Sequence, residues 1–364
     1  MATRVKIGDV AAAAGVSITT VSHALNGKGR LPEATRQRVR EVAERLGYQP
    51  SALARGLAGG RSGLLALTVS SADDFTLTLG DYDYFMQLMT GATSAAFERG
   101  FSLTLVPSKT GADVLGRLPL DGTIVIDPVP GDTTIDLLEQ RGIPVVTTGR
   151  RPSGRDDGYW VDNDQGAGTR AMIEHLAEQG ARRIALLTPP PLPSYTIDAL
   201  EAFETTCAEL GLEWIVETVT DSISESGAYA AASRLLDSAK PPDAIYGALD
   251  RLALGALLAA EARGIRVPTE LRVAGCTDSH AARSSRPALT ALSLNPEWIG
   301  TEAVELLVTL VERGEAAEPH RIVPFAVIPR ESTRAATTSR AASGSGRGTR
   351  SPGNPAQKRL PRHR

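Results

Sequence analysis

Between Leu64 and Gly275 short apolar runs alternate with amphipathic stretches, and this alternation restricts the fold more than any other feature of the chain. The strand-type runs are Leu64 to Val69, Ser102 to Val106, Gly122 to Ile126, Pro144 to Thr148, Ile184 to Thr188, Trp214 to Glu217, Ala244 to Gly247 and Leu271 to Gly275. Helical periodicity separates most of them, over Tyr84 to Arg99, Thr133 to Arg141, Gln165 to Gln179, Thr196 to Leu210, Glu225 to Ser238 and Asp250 to Arg263. A buried run, a helix and a second buried run make a right-handed βαβ unit, because parallel neighbours need a long crossover. The expected class is therefore α/β, with parallel sheets covered by helices on both faces. About 270 residues of this pattern exceed one comfortable core, so two similar subdomains are expected.

The first sixty residues read differently. Ile7, Val10, Ala11 and Ala14 recur at helical spacing, and Gly15 then tolerates the positive φ with which such a helix ends. Ser17 is placed to cap a second helix. On that helix Val21 and Leu25 form an i, i+4 apolar edge, leaving Ile18, Thr19, Ser22 and His23 on the other side. Short polar side chains at the start of an uncharged helix suit entry into a major groove. A third helix opens at Pro32 and Glu33, buries Val39, Val42, Ala43 and Leu46, and ends at Gly47. The expected motif is an all-α helix-turn-helix head, against an ordinary helical hairpin with a polar outer face. Tyr48-Gln49-Pro50 then breaks the helix. Ser51 to Ala58 is too short, and interrupted by Gly56, to be helical unless something holds it. Gly59 to Gly63 is a joint.

Charge is segregated along the chain. The net charge is −3, yet residues 1–62 carry ten Lys and Arg against four acids, and residues 335–364 carry seven without an acid. The intervening body holds 22 basic and 38 acidic residues. A basic head on an acidic body is what a polyanion-binding module on a soluble carrier shows, since phosphate attraction need act only at the head. Cys207 and Cys276 are the two cysteines, far apart, so neither a disulfide framework nor a zinc site is indicated and a reducing compartment fits. The start lacks a secretory signal, and no apolar run reaches the length of a membrane span. No phosphate loop, metal-ligand cluster or nucleotide fingerprint occurs, so no cofactor is expected. Asp278-Ser279-His280 contains triad residue types, but adjacency does not assemble a triad, and no enzymatic activity is expected.

DVAAAAGVS, TTVSHALN, TRQRVREVAERLGYQPS and ALARGLA follow one another over residues 9–58 in an order and spacing that resembles the headpiece and hinge of the lactose-repressor (LacI) family of bacterial transcription regulators. The resemblance continues to about residue 334 and implies a two-subdomain core like type I periplasmic binding proteins. The implied organisation is a headpiece at 1–50, a hinge helix and linker at 51–62, and an effector-binding and dimerisation core at 63–334. Within the core, 63–160 and 291–321 form one subdomain, and 161–290 and 322–334 the other, with crossings near 159 to 162, 290 and 321. Residues 335–364, rich in Ser, Gly, Pro and Arg, read as a disordered basic tail.

The resemblance assigns roles residue by residue. Ile18, Thr19 and His23 fall on positions that read the operator, with Ser17, Thr20, Ser22 and Asn26 assigned to phosphates or caps. His23 stands where arginine is common, so guanine readout by a bidentate guanidinium is lost. Leu57 matches the hinge leucine that wedges into the minor groove, with Ala54 and Arg55 alongside. Asp83, Tyr84, Arg150, Trp160, Asp162, Tyr195, Asp250 and Asp278 are candidates to frame a small-molecule effector. Sugar-gripping positions of better-known members fall here on Ala199, Leu249 and Thr277, which weakens a sugar as ligand. The implied function is that of a cytoplasmic, homodimeric repressor binding a palindromic double-stranded operator, under allosteric control by a small molecule. Two rivals stand beside it: a regulator whose cleft binds nothing, and a solute-binding protein of the same core fold.

Overall fold

A computed structural model describes residues 5–25, 29–48, 61–70, 82–106, 114–151, 158–190, 193–220 and 223–334. Asn26, the expected hinge helix with Ala54, Arg55 and Leu57, and the 335–364 tail lie outside the described residues.

The head comprises α1 (Ile7–Ala14), α2 (Ile18–Leu25) and α3 (Glu33–Arg45). Gly15 takes φ +65°, donating its N–H to Ala12, while the Val16 N–H returns to the Ala11 carbonyl. The turn therefore satisfies two orphan carbonyls of α1. Ser17 Oγ accepts from the Thr20 N–H at 3.1 Å and caps α2. Val10, Val21, Ala24 and Val39 are completely buried where the three helices meet. Each buried valine contributes about 2 kcal/mol, which is how so small a core holds three short helices together. The inner edge of α2 is Val21 and Ala24, with Leu25 half-buried beside them.

The strands of the core are β1 (Leu64–Val69), β2 (Ser102–Val106), β3 (Gly122–Ile126), β4 (Val145–Thr148), β5 (Tyr159–Asp162), β6 (Arg183–Thr188), β7 (Glu213–Thr218), β8 (Ala244–Gly247), β9 (Arg272–Cys276), β10 (Thr290–Ser293), β11 (His320–Ile322) and β12 (Ala326–Ile328). Its helices are α4 (Tyr82–Glu98), α5 (Thr134–Gln140), α6 (Gln165–Glu178), α7 (Ser194–Glu209), α8 (Glu225–Leu236), α9 (Asp250–Glu261), α10 (His280–Ser284) and α11 (Pro296–Arg313). They build two six-stranded sheets, ordered β11-β5-β4-β3-β1-β2 and β12-β10-β9-β8-β6-β7. Every residue of β3 and of β8 is buried, as strands covered on both faces must be.

Parallel pairing has one exception among the described residues. β12 runs antiparallel to β10, with Ala291 opposite Ile328 and Ser293 opposite Ala326. The reason is the path: β11 ends near the cleft and three residues later β12 begins there, so it can only run away from the cleft. The expected subdomain divisions at 160/161, 290/291 and 321/322 fall inside β5, β10 and β11. The ladders keep those strands whole, and the chain passes between sheets at 163–164, 294–295 and 323–325. Past Gly275, beyond the elements expected from the sequence pattern, α10, β10, α11, β11 and β12 fill the chain.

In the first subdomain α4 and α11 lie almost in backbone contact. A Cβ added at Gly91 would sit 1.9 Å from the Glu297 carbonyl oxygen, and one at Gly300 would sit 2.1 Å from that of Leu88. Leu88, Ala92, Ile299, Ala303 and Leu307 pack around this crossing against β1, β3 and β5.

Candidate functional site

In each sheet the chain places its second strand on one side of the first and then jumps to the other. The resulting switch points lie between β1 and β3, and between β6 and β8, and a crevice opens at the carboxyl ends of strands flanking such a point. The two crevices face each other. Val69, Ile126, Asp127 and Asp162, at the ends of β1, β3 and β5, meet Ala248, Leu249, Cys276, Thr277 and Leu294, which follow or end β8, β9 and β10. Tyr84 and Phe85 of α4, Asn163 and Gln165 at the start of α6, and Tyr195 of α7 complete a cavity of about 70 Å³. A groove of about 560 Å³ adjoins it, sharing Asp162, Asn163 and Gln165 and continuing past Arg150, Trp160, Arg170 and Asp198.

Backbone strain concentrates here. Asp127 (φ +48°), Thr277 (φ +108°) and Asp278 (φ +57°) all lie in the left-handed region, which a β-branched residue such as Thr277 seldom enters. Such outliers persist where surrounding structure holds them, commonly at binding sites. Burial pushes the Tyr84 phenol well above its ordinary range, and the neighbouring Asp127 and Asp162 carboxylates add to the shift. Burial also raises Asp162 to about 7; Asp198 adds to that, while the Asn163 N–H, accepted at 2.8 Å, and Arg150 oppose it. The Cys276 thiol is pushed up to about 12 by burial, which leaves it protonated and unreactive.

The passages between subdomains are tied together by one side chain. Asn163 Nδ2 donates to the Leu294 carbonyl at 3.1 Å and to the Val323 carbonyl at 2.8 Å, joining all three crossings. On one flank of the cleft Arg150 pairs with Asp198 and its N–H donates to Ser194 Oγ. On the other flank Asp83 accepts from the His280 N–H at 2.6 Å and faces Arg283 at 3.8 Å.

Of the eight residues proposed from sequence, Tyr84, Asp162 and Tyr195 line the cavity, and Arg150 and Trp160 join Asp162 along the groove. Trp160 stacks on His320 there, ring centroids 4.5 Å apart. Asp83, Asp250 and Asp278 line neither space. Asp83 bridges the subdomains, as above. Asp250 is buried behind the wall, where its carboxylate accepts from Thr277 Oγ1 at 3.1 Å and the Ser279 N–H at 2.6 Å, and burial raises it to about 6. Asp278 pairs with Arg330 at 2.6 Å and faces Arg283. Asp250 thereby holds the Thr277–Ser279 turn, within which Asp278 itself lies. The triad residue types go separate ways: Ser279 Oγ caps α10 through the Ala282 N–H, and His280 opens that helix.

Asp127, Phe85 and Gln165 were not proposed from sequence. The signal for Asp127 is an acid directly after the apolar run Ile124-Val125-Ile126, at what becomes a switch point, but only the strand order reveals the switch. Leu249 and Thr277 do line the cavity, while Ala199 is buried within α7.

On the head, Ser17, Ile18, Thr19 and His23 form one exposed face of α2, with Thr20 and Ser22 half-buried at its margin. Ile18 is 54% exposed at the start of that face. The His23 imidazole lies on Gly29, where an added Cβ would come within 2.9 Å of Nδ1. Thr20 Oγ1 is held by Ser17 Oγ at 2.8 Å.

Residues 6–51 match the lacI family of bacterial regulatory proteins, and residues 173–333 match the periplasmic binding protein-like domain. Over 324 residues the chain is 32% identical to the HTH-type transcriptional regulator CelR of Thermobifida fusca, covering 86% of this chain and 94% of that protein. It is 31% identical over 335 residues to the HTH-type transcriptional repressor PurR of Proteus mirabilis (strain HI4320), covering 87% and 94%. Among solved structures, a CelR–cellobiose complex is similar at 28% identity and TM-score 0.68, over 90% of this chain and 100% of that one. A lac repressor dimer bound to operator and the anti-inducer ONPF shares the fold at 24% identity and TM-score 0.77, over 92% and 100%.

Proposed function

This chain belongs to the LacI family of bacterial regulatory proteins, and from that premise we propose that it is a homodimeric repressor whose grip on a palindromic operator is set by a small molecule held between its subdomains. The observation that carries this reading is the exposed, uncharged face of α2, with Ser17, Ile18, Thr19 and His23 turned away from the head's own core. Ile18, Thr19 and His23 meet base edges, while Ser17, Thr20, Ser22 and Asn26 hold phosphates and the helix start. Leu57, flanked by Ala54 and Arg55, wedges into the minor groove and makes the 51–62 hinge fold on DNA. The headpiece spans 1–50, the core 63–334, and the 335–364 tail adds nonspecific attraction to DNA through its seven basic residues. Dimerisation uses α4 among other surfaces, which accords with Phe97 being 80% exposed at its end.

The effector reaches the head through the cleft. Arg150–Asp198 and Asp83–His280 span the subdomains, so a ligand that favours one degree of closure shifts both contacts, and its effect equals its differential affinity for the two states. No described helix is long and apolar enough to cross a membrane, and the protein works in the cytoplasm, where operators are. It acts by binding and not by catalysis, as its transcription-regulator relatives do.

Selection of genomic fragments bound by the purified protein tests the reading. A shared palindromic sequence among them, bound with an affinity that falls steeply with salt, is the expected result. Recovery of fragments without a common sequence would refute it. Leu57→Ala should weaken operator binding while leaving the core's thermal stability unchanged.

A further inference from the structure

The chain enters β1 from the head through Arg61, Ser62 and Gly63, and all three are fastened before the strand begins. Asp121, directly before β3, accepts from the Ser62 N–H at 2.8 Å on one carboxylate oxygen and from the Gly63 N–H at 2.7 Å on the other. Its own N–H donates to the Leu64 carbonyl, and the Gly63 carbonyl accepts from the Ser102 N–H. Arg61 Nη2 donates to the Val311 carbonyl at 3.1 Å, and Nη1 faces Glu312 at 3.6 Å. Glu312 is in turn held by Arg99 at 3.3 Å, which also pairs with Glu305 at 2.8 Å. The registered pairing of β1 begins at Leu64 with β2 and at Leu65 with β3. The Asp121 carboxylate and the Arg61 contacts therefore act on chain that lies ahead of the sheet.

We propose that Asp121 and Glu312 are positioning residues for operator binding: they fix the point at which each head's tether leaves the core, and so the separation at which two heads reach their half-sites. This rests on the dimeric repressor reading and deepens it. Tyr48 is the last described residue of the head, and 12 residues lie between it and Arg61, against 15 between it and Leu64. Releasing Arg61 to Gly63 lengthens each tether by up to about 10 Å, at about 3.4 Å per residue. One base pair moves a half-site by only about 3.4 Å, so the reach gained exceeds the error that correct spacing must exclude. Each released residue must also be ordered again when both heads bind, at about tenfold in affinity per residue. A carboxylate suits the position of Asp121, because it accepts two backbone N–H groups at once and its charge strengthens both bonds.

Fluorescence anisotropy with the full-length protein tests this on the operator recovered by genomic selection and on the same duplex with one base pair inserted at its centre. In Asp121→Asn one acceptor becomes a donor facing an N–H, so affinity for the native spacing should fall about tenfold while the inserted duplex loses far less. Glu312→Ala should lower the same ratio about threefold, the size of an exposed ion pair, with little change in urea unfolding of the core. Should Asp121→Asn fail to fold, Glu312→Ala carries the comparison. Equal losses on the two duplexes, or none, overturn the proposal, since a merely destabilised protein loses both alike. Tighter operator binding by Glu312→Ala also overturns it, because Arg61 would then serve a phosphate once freed from the core. If selection yields no palindrome, the repressor reading fails and takes this proposal with it, whereas a spacing preference that neither substitution moves refutes the proposal and leaves the repressor standing.

Discussion

Replacing Asp162 with asparagine should flatten part of the pH dependence of the core's stability. The Asp162 carboxyl is moved from 3.8 to about 7, chiefly by burial. Between those values the folded protein keeps a proton that the unfolded chain has lost, so stability falls as pH rises and levels off above about 7. Each pH unit inside the window removes up to about 1.4 kcal/mol. Between pH 5 and 8 the loss comes to about 2 kcal/mol, after allowance for the water that reaches a half-buried carboxyl. Asparagine keeps an oxygen for the Asn163 N–H and removes the titration. Urea unfolding at several pH values, followed by tryptophan fluorescence, measures it, because Trp160, Trp214 and Trp298 all belong to the core and none to the head. Asp250, raised to about 6, titrates in both proteins and cancels in their difference. The variant should therefore gain on the native protein by about 2 kcal/mol from pH 5 to pH 8. A difference that stays constant across that range would refute the assignment of a destabilised carboxylate at the cavity wall.

Three further outcomes follow from the geometry. Gly300→Ala places a methyl 2.1 Å from the Leu88 carbonyl oxygen, so α4 and α11 must separate; a loss of about 3 kcal/mol or more is expected in the same urea assay. Gly15→Val puts a β-branched side chain at φ +65° and should cost the head about 2 kcal/mol, lowering its helical signal while the tryptophan transition stays in place. His23→Ala should reduce affinity for the selected operator by about tenfold with little change on unrelated duplex, measured by fluorescence anisotropy, because a base-edge contact carries specificity and a phosphate contact does not.

What could be read in advance was whatever local periodicity carries. Spacing carries the helices of the head and the turn between α1 and α2, through Val10, Val21 and Val39 and through Gly15 and Ser17, while the choice of helix-turn-helix over an ordinary hairpin rests on the family motifs. The exposed face of α2 then follows by subtraction. The α11 helix is equally legible, with Pro296 at its start, Ile299, Ala303 and Leu307 at helical spacing, and Gly314 at its end.

The amino-acid sequence by itself determined the α/β class, the separate head and the sites of its caps, because each depends on neighbours within about one helical turn or one strand. Which acids meet a ligand was decided by tertiary structure. Asp83, Asp162, Asp250 and Asp278 look alike in sequence, yet only Asp162 faces the cavity, while Asp250 turns inward behind Thr277 and the others pair with arginines or backbone. Strand order, set by pairing between strands tens of residues apart, brings Asp127 opposite Thr277 and sends β12 backwards beside β10. Those choices belong to the packing of two sheets against each other, and no periodicity along the chain records them.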